Sequence, residues 1–251
     1  MKPLSLQLYS VRADAEKDYF GTLKVVAEIG YKGVEMASLY DLKPAEIRKV
    51  VDDLGLAVSS AHVALPTRET LGETVDTAQA LGHGTLVSGK RPEDFASVDA
   101  IKAAADSFQE AAELLKPHGI RMGYHNHWWE VMPVEGRPGY EIFLERAPDV
   151  FSQLDVYWAA HFGDVDVPAL IRKHVERLPC LHIKDGPLVE GEPHTAVGAG
   201  KMDIPACVEA ADPDVLEWLI IALAHCATDM LTAVRESYAY MIGEGLAEGN
   251  R

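Results

Sequence analysis

The sequence predicts a single-domain α/β fold closed into a (β/α)₈ barrel, and three observations lead there. Short apolar runs alternate with longer amphipathic stretches from one end of the chain to the other, and the runs number eight. Most of the runs are almost continuously apolar, as strands covered on both faces of a parallel sheet must be. At 251 residues and 48% hydrophobic composition, the chain 1–251 can bury one barrel-sized core. An open doubly wound sheet is the competing arrangement, and it would carry a glycine-rich phosphate loop after its first strand. Here that run leads into Gln7-Leu8-Tyr9-Ser10-Val11-Arg12, which is no such loop.

In order, the runs cover 4–9, 33–36, 57–63, 85–88, 121–125, 151–155, 180–183 and 218–223. Between them, segments such as 19–29, 44–54, 98–115 and 229–241 repeat apolar residues at three-and-four spacing and predict helices. Gly30 and Gly55 stand where helices should end, and Pro92 and Pro168 where they should begin. The longest irregular stretch, 186–201, follows the seventh run and is rich in glycine and proline. A loop of that length in a compact barrel is usually functional.

The bulk composition narrows the function. A net charge of −16 and a pI near 5.0 argue for a soluble cytoplasmic protein and against a nucleic-acid partner, whose phosphates demand a basic surface. Cys180, Cys207 and Cys226 are an odd, widely spaced set, which disfavours a disulfide framework or a thiolate metal site. No apolar run reaches the ~18–20 residues of a membrane span. The first dozen residues lack the layout of a signal peptide, because Arg12 follows the apolar stretch.

Three polar motifs close three of the runs: Tyr124-His125-Asn126-His127-Trp128-Trp129-Glu130, Leu154-Asp155-Val156-Tyr157-Trp158 and Leu181-His182-Ile183-Lys184-Asp185. His125, Asp155 and His182 are spaced by about one strand-plus-helix unit, so each stands at the C-terminal end of a strand, where barrels place their chemistry. Two imidazoles and a carboxylate there suit a divalent metal. For Asp155 the alternative is a helix N-cap, and for His182 a hydrogen-bonded core histidine. His127 shares strand parity with His125 and is a candidate for either ligation or proton transfer. Lys184 shares the face of His182 and can neutralise an oxyanion, or else pair with Asp185 or Glu130. Glu35 and His62 end the second and third runs and are candidate acids or bases, or members of a hydrogen-bond network. Trp128, Trp158, Asn126 and Glu130 are candidate substrate contacts, with Trp129 crowding the same end. His83, His118, His174 and His194 fall in helix ends or loops and are expected to be solvated.

Read together, the segments LQLYSVR, GYKGVEM, YHNHWWE, LDVYWAAHFGDVD, CLHIKDG, VGAGKMDIP and CATDMLTAVRESYAYM resemble the sugar phosphate isomerase/epimerase family. These are xylose-isomerase-like TIM barrels that also include inosose dehydratase-like and apurinic-endonuclease-like members. The resemblance covers nearly the whole chain. It implies proton abstraction beside a carbonyl of a sugar or cyclitol, assisted by a divalent metal, most often Mn²⁺, with Co²⁺, Mg²⁺ or Zn²⁺ as alternatives. It implies His125, Asp155 and His182 as ligands, together with a glutamate on the eighth strand. Relatives there read like W-L-I-V-E-L-D, whereas this chain reads Trp218-Leu219-Ile220-Ile221-Ala222-Leu223-Ala224. His125 also occupies the place of a strand-five glutamate that serves epimerases as a base. The departures lean toward dehydratase or lyase chemistry of the inosose dehydratase type, or toward a sugar-binding pseudoenzyme. A DNA-repair endonuclease fails on charge and on too few metal ligands. No Arg/Lys cluster marks a phosphate grip, so the expected partner is a non-phosphorylated sugar or polyol, with self-association left open.

Overall fold

The computed structural model describes residues 1–250. Eight strands form the barrel: β1 (Lys2–Gln7), β2 (Gly33–Met36), β3 (Ala57–His62), β4 (Thr85–Ser88), β5 (Arg121–His125), β6 (Phe151–Asp155), β7 (Cys180–Ile183) and β8 (Trp218–Ile221). Every neighbouring pair is parallel, and β8 returns to pair with β1 through Leu4 opposite Leu219, which closes the sheet. The eight apolar runs are therefore the eight strands. A short strand at Ala247–Glu248 adds to the edge of β1, and a small hairpin, Pro133–Val134 with Arg137–Pro138, decorates the β5–β6 connection.

Helices follow each strand: α1 (Tyr19–Ile29), α2 (Pro44–Asp53), α3 (Leu71–Leu81), α4 (Val98–Leu115), α5 (Gly139–Arg146), α6 (Val167–Lys173), α7 (Ile204–Glu209) and α8 (Met230–Gly243). Their starts are set by side chains that accept otherwise unpaired backbone N–H groups: Asp18, Ser97, Asp166, Asp203 and Asp229 cap α1, α4, α6, α7 and α8. Gly30 ends α1 at φ +118°, a conformation costly for residues with a Cβ. No helix among the described residues is long and apolar enough to cross a membrane.

The apolar core lies between the barrel wall and the helices. Leu4, Leu6, Val34, Leu86, Met122, Leu154, Leu181 and Leu219 supply its strand side, and residues such as Leu23, Ile47, Phe108 and Val234 its helix side. The alternate strand positions face inward, and many are polar. Ser5 meets Ser59 at 2.8 Å, while Gln7, Glu35, Ser60, Gln153 and His182 are joined by hydrogen bonds. Barrel interiors are normally filled by branched apolar side chains, so this polar interior is a departure that positions the site. A register shift helps to build it. Val34 pairs with Val58 but Glu35 pairs with Ser60, so β3 carries an extra residue beside Glu35. Such bulges re-aim side chains near active sites.

The stretch 186–201 is held by one carboxylate. Asp185 accepts backbone N–H bonds from Gly186 (2.8 Å), Gly198 (3.0 Å), Gly200 (3.0 Å) and Met202 (3.0 Å). A Cβ at residue 200 would lie 2.1 Å from Asp185 Oδ1, so only glycine permits this approach.

Candidate functional site

The barrel strands converge their C-terminal ends on two linked groups of side chains. The deeper group is centred on Glu35, which is fully buried. Its Oε1 accepts from Gln7 Nε2 (2.9 Å) and His182 Nε2 (2.8 Å), and its Oε2 from Ser60 Oγ (2.5 Å) and Gln153 Nε2 (2.5 Å). His62 Nε2 donates to Gln153 Oε1 at 2.7 Å and lies 3.3 Å from Glu35 Oε1. Burial pushes the Glu35 carboxyl up, but the neighbouring His182 and His62, with hydrogen bonds from His182 and Ser60, bring it down to about 2. Glu35 is thus a saturated, ionised acceptor.

Three imidazoles stand around it. The His62 and His125 rings are 4.9 Å apart, His125 and His182 4.7 Å, and His62 and His182 5.4 Å and nearly parallel. Their ligand nitrogens all lie within 4.8 Å of one another. Desolvation pushes His125 well below the usual imidazole range, with the nearby His182, His62, His127 and Lys184 adding to it. His62 is lowered for the same first reason.

The outer group is built on Asp155. Its Oδ1 accepts from the Tyr157 N–H (3.1 Å) and Trp158 N–H (3.0 Å), capping the short helix Val156–Ala159, and its Oδ2 accepts from Lys184 Nζ at 2.7 Å. Lys184 is only 4% exposed, and its Nζ sits 4.8 Å from the centre of the Trp158 ring. His194, from the long loop, packs on Trp158 and Tyr157. Burial first, then Lys184, holds its imidazole down at about 4, so the expectation of a solvated His194 is corrected. His83 is likewise brought to about 4, chiefly by burial.

The ligand set implied by the resemblance includes Asp155 and a glutamate on the eighth strand. Both oxygens of Asp155 are engaged by the helix cap and by Lys184, and the eighth strand presents Ala222, 1% exposed, where a glutamate was implied. Among the described residues, the group brought together with metal-ligand spacing is His62, His125 and His182, with His62 taking the place expected of Asp155. The residues fit a metal there, because the buried Nδ1 atoms of His125 and His182 have no protein partner.

Two further residues expected at the site are buried in the β5 loop. Asn126 is fully buried: its Oδ1 accepts the Asp155 N–H at 2.9 Å and its Nδ2 donates to the His127 and Asp155 carbonyls. Glu130 is fully buried, accepting from Tyr124 Oη (2.7 Å) and the His127 N–H (2.8 Å). Both fold the β5 loop. His127 stacks on Trp129 with ring centres 4.3 Å apart, and Trp128 leans on His161 and Phe162. Gln7, Ser60 and Gln153 were not singled out from the sequence as site residues. Gln153 precedes Asp155 by two positions on the same face, and that parity was the available signal.

A model of the xylose isomerase-like TIM barrel matches residues 23–225. The chain belongs to this family. A search among curated proteins finds no match. The barrel superposes on a sugar phosphate isomerase/epimerase from Parabacteroides distasonis ATCC 8503 with a TM-score of 0.80 and 25% identity, covering 99% of this chain and 96% of that one. An L-ribulose 3-epimerase aligns with a TM-score of 0.72 at 17% identity over 98% and 95% of the two chains. The probable 3-DHS dehydratase AsbF of Bacillus anthracis aligns at 0.75 and 11% identity over 96% and 99%. Among these neighbours one barrel carries a sugar phosphate isomerase/epimerase, an L-ribulose 3-epimerase and a probable 3-DHS dehydratase.

Proposed function

We propose that this protein is an isomerase- or epimerase-type enzyme that transfers a proton at the carbon beside the carbonyl of a small sugar or cyclitol. The observation that carries the reading is Lys184, a buried ammonium fixed 2.7 Å from Asp155 at the barrel mouth beside the imidazole cluster. A cation held in place there stabilises the oxyanion that develops as the neighbouring carbon loses its proton. Its positioning is rigid, because Asp155 is itself tied to two backbone N–H groups.

His127 is the proton-transfer group in this reading. It is partly exposed, its ring centre is 5.2 Å from that of His125, and its ring is stacked on Trp129. Trp158 and Trp128 offer ring faces on which the apolar side of a sugar can rest. Glu35, saturated with donors, holds the cluster in register rather than moving the proton. A divalent metal, with His62, His125 and His182 as the residues that would hold it, would supply Lewis acidity toward the carbonyl. No cluster of arginine and lysine accompanies Lys184, which favours a non-phosphorylated substrate. The acidic charge and three free cysteines support a cytoplasmic setting.

The test is proton exchange. The protein, supplied with divalent metal, is incubated in D₂O with a panel of ketopentoses, ketohexoses and inososes, and loss of the carbon-bound proton signal is followed by NMR. Exchange on at least one compound is expected, slowed at least about 100-fold in Lys184→Met and in His127→Ala. Exchange that survives both substitutions overturns the roles assigned to them. Loss of water from the same substrate would select the dehydratase form of the reading. A second reading rests on Ala222, which stands where the resemblance implies a carboxylate: a barrel that binds a sugar without converting it. Saturable sugar binding without exchange is its signature.

A further inference from the structure

Glu35 decides which ring nitrogens of the histidine cluster are available. Both Glu35 oxygens are met by amide and hydroxyl donors, among them the Gln153 amide nitrogen 2.5 Å from Oε2. The Gln153 carbonyl oxygen therefore faces His62, and the His62 Nε2 at 2.7 Å carries a proton. His182 Nε2, 2.8 Å from Glu35 Oε1, is protonated by the same argument. In the neutral tautomer both rings then keep their lone pair on Nδ1.

A second observation points to a ligand. The Nδ1 atoms of His182 and His125 are buried without any partner, in residues 0% and 8% exposed. Buried polar atoms left unpaired are rare and costly. Both belong to a cluster in which one nitrogen from each of three histidines lies within 4.8 Å of the others. A histidine ligand whose other nitrogen donates to a carboxylate is the usual supporting arrangement of metal sites.

We propose that His62, His125 and His182 form a three-imidazole site selective for Zn²⁺ or Co²⁺ over Mn²⁺, with Glu35 as the positioning residue that fixes the ligating tautomers of His62 and His182. The inference deepens the metal-assisted reading above and rests on it, and it replaces the set His125, Asp155 and His182. Imidazole donors suit borderline cations, whereas Mn²⁺ and Mg²⁺ favour oxygen ligands. Asp155, the oxygen donor of the implied set, is committed to Lys184 and to its helix cap.

The experiment is a metal titration of chelator-treated, dialysed protein with Zn²⁺, Co²⁺ and Mn²⁺ separately, by calorimetry, and for Co²⁺ by visible absorption. One equivalent of Zn²⁺ should bind at least about 100-fold tighter than Mn²⁺. His62→Ala should weaken Zn²⁺ at least about 100-fold, Glu35→Gln about 10–100-fold, and Asp155→Asn less than about threefold. A long-range ¹⁵N–¹H spectrum of the metal-free wild type should show His62 and His182 protonated at Nε2 and bare at Nδ1. That spectrum decides the matter even if His62→Ala fails to fold. Equal or tighter Mn²⁺ binding overturns the proposal. So does metal loss in Asp155→Asn with retention in His62→Ala, absence of stoichiometric binding, or protonated Nδ1 atoms. No substrate is present in these measurements, so their failure leaves the proton-exchange reading standing, and failed exchange with correct metal binding condemns that reading alone.

Discussion

Glu35 on β2 and His182 on β7, 147 positions apart in the chain, meet through a 2.8 Å hydrogen bond inside the barrel. The contact explains why a carboxylate is tolerated at a fully buried position. Its two oxygens receive four hydrogen bonds, which replace the solvation lost on burial.

Glu35→Leu should therefore be severely destabilising. The replacement strands Gln7, Ser60, Gln153 and His182 as buried donors without an acceptor, each worth about 1–3 kcal/mol when unpaired. Allowing for relaxation, a loss of about 3–5 kcal/mol is expected in urea denaturation. A loss under ~1 kcal/mol would show that the network contributes little to stability.

Acid should weaken the fold as pH falls from 6.5 toward 4. His83 and His194 are held near 4 in the folded protein, mainly by burial, against an ordinary value of 6.5. Below 6.5 the unfolded chain takes up protons that these folded groups refuse. The stability they allow is thus complete above pH 6.5 and is lost as pH falls toward 4. Each contributes about 1–2 kcal/mol after discounting for partial exposure. Melts between pH 4 and 7.5 should show this slope, and His83→Asn should flatten it.

Asp185→Ala should loosen the 186–201 loop without unfolding the barrel. Four backbone N–H groups lose their acceptor, so backbone amide exchange at Gly198, Gly200 and Met202 should accelerate at least about tenfold. Unchanged protection there would mean that the loop is held by its other contacts.

Ala222→Glu tests the departure on β8. The position is 1% exposed and its N–H already binds the Ile183 carbonyl at 3.2 Å. A carboxylate introduced there lacks an evident partner, so a stability loss of about 3 kcal/mol or more is expected, with no gain in metal affinity. A tenfold tighter metal, read by calorimetry, would instead mean that a vacated ligand position had been refilled.

The eight strands were legible because strands covered on both faces leave continuous apolar runs, and their boundaries in the structure differ from those runs by a few residues at most. Position at the ends of the runs also marked Glu35, His62 and His182 as site candidates. Pairing between strands was not legible. The extra residue in β3 beside Glu35 leaves no mark in a local pattern, and it brings Ser60 onto the carboxylate. Asp155 was ambiguous for a physical reason: a carboxylate at a strand end followed by a helical turn serves equally as a ligand or as a cap. In the structure Lys184, two positions beyond His182, donates to the oxygen that the helix cap leaves free. His194 was misread because it lies in a loop, and burial of a loop depends on what Asp185 draws together.

The polar knot inside the barrel also bears on how the chain reaches its native state. Gln7, Glu35, Ser60, Gln153 and His182 come from β1, β2, β3, β6 and β7, so no contiguous half of the sequence contains all its members. A partly closed sheet would bury some of these groups while their counterparts were still in water. Assembly intermediates are penalised accordingly, and folding is pushed toward a single late, slow closure dominated by distant contacts. Half-barrel fragments should on this account remain unstructured when separate and acquire order only on being mixed.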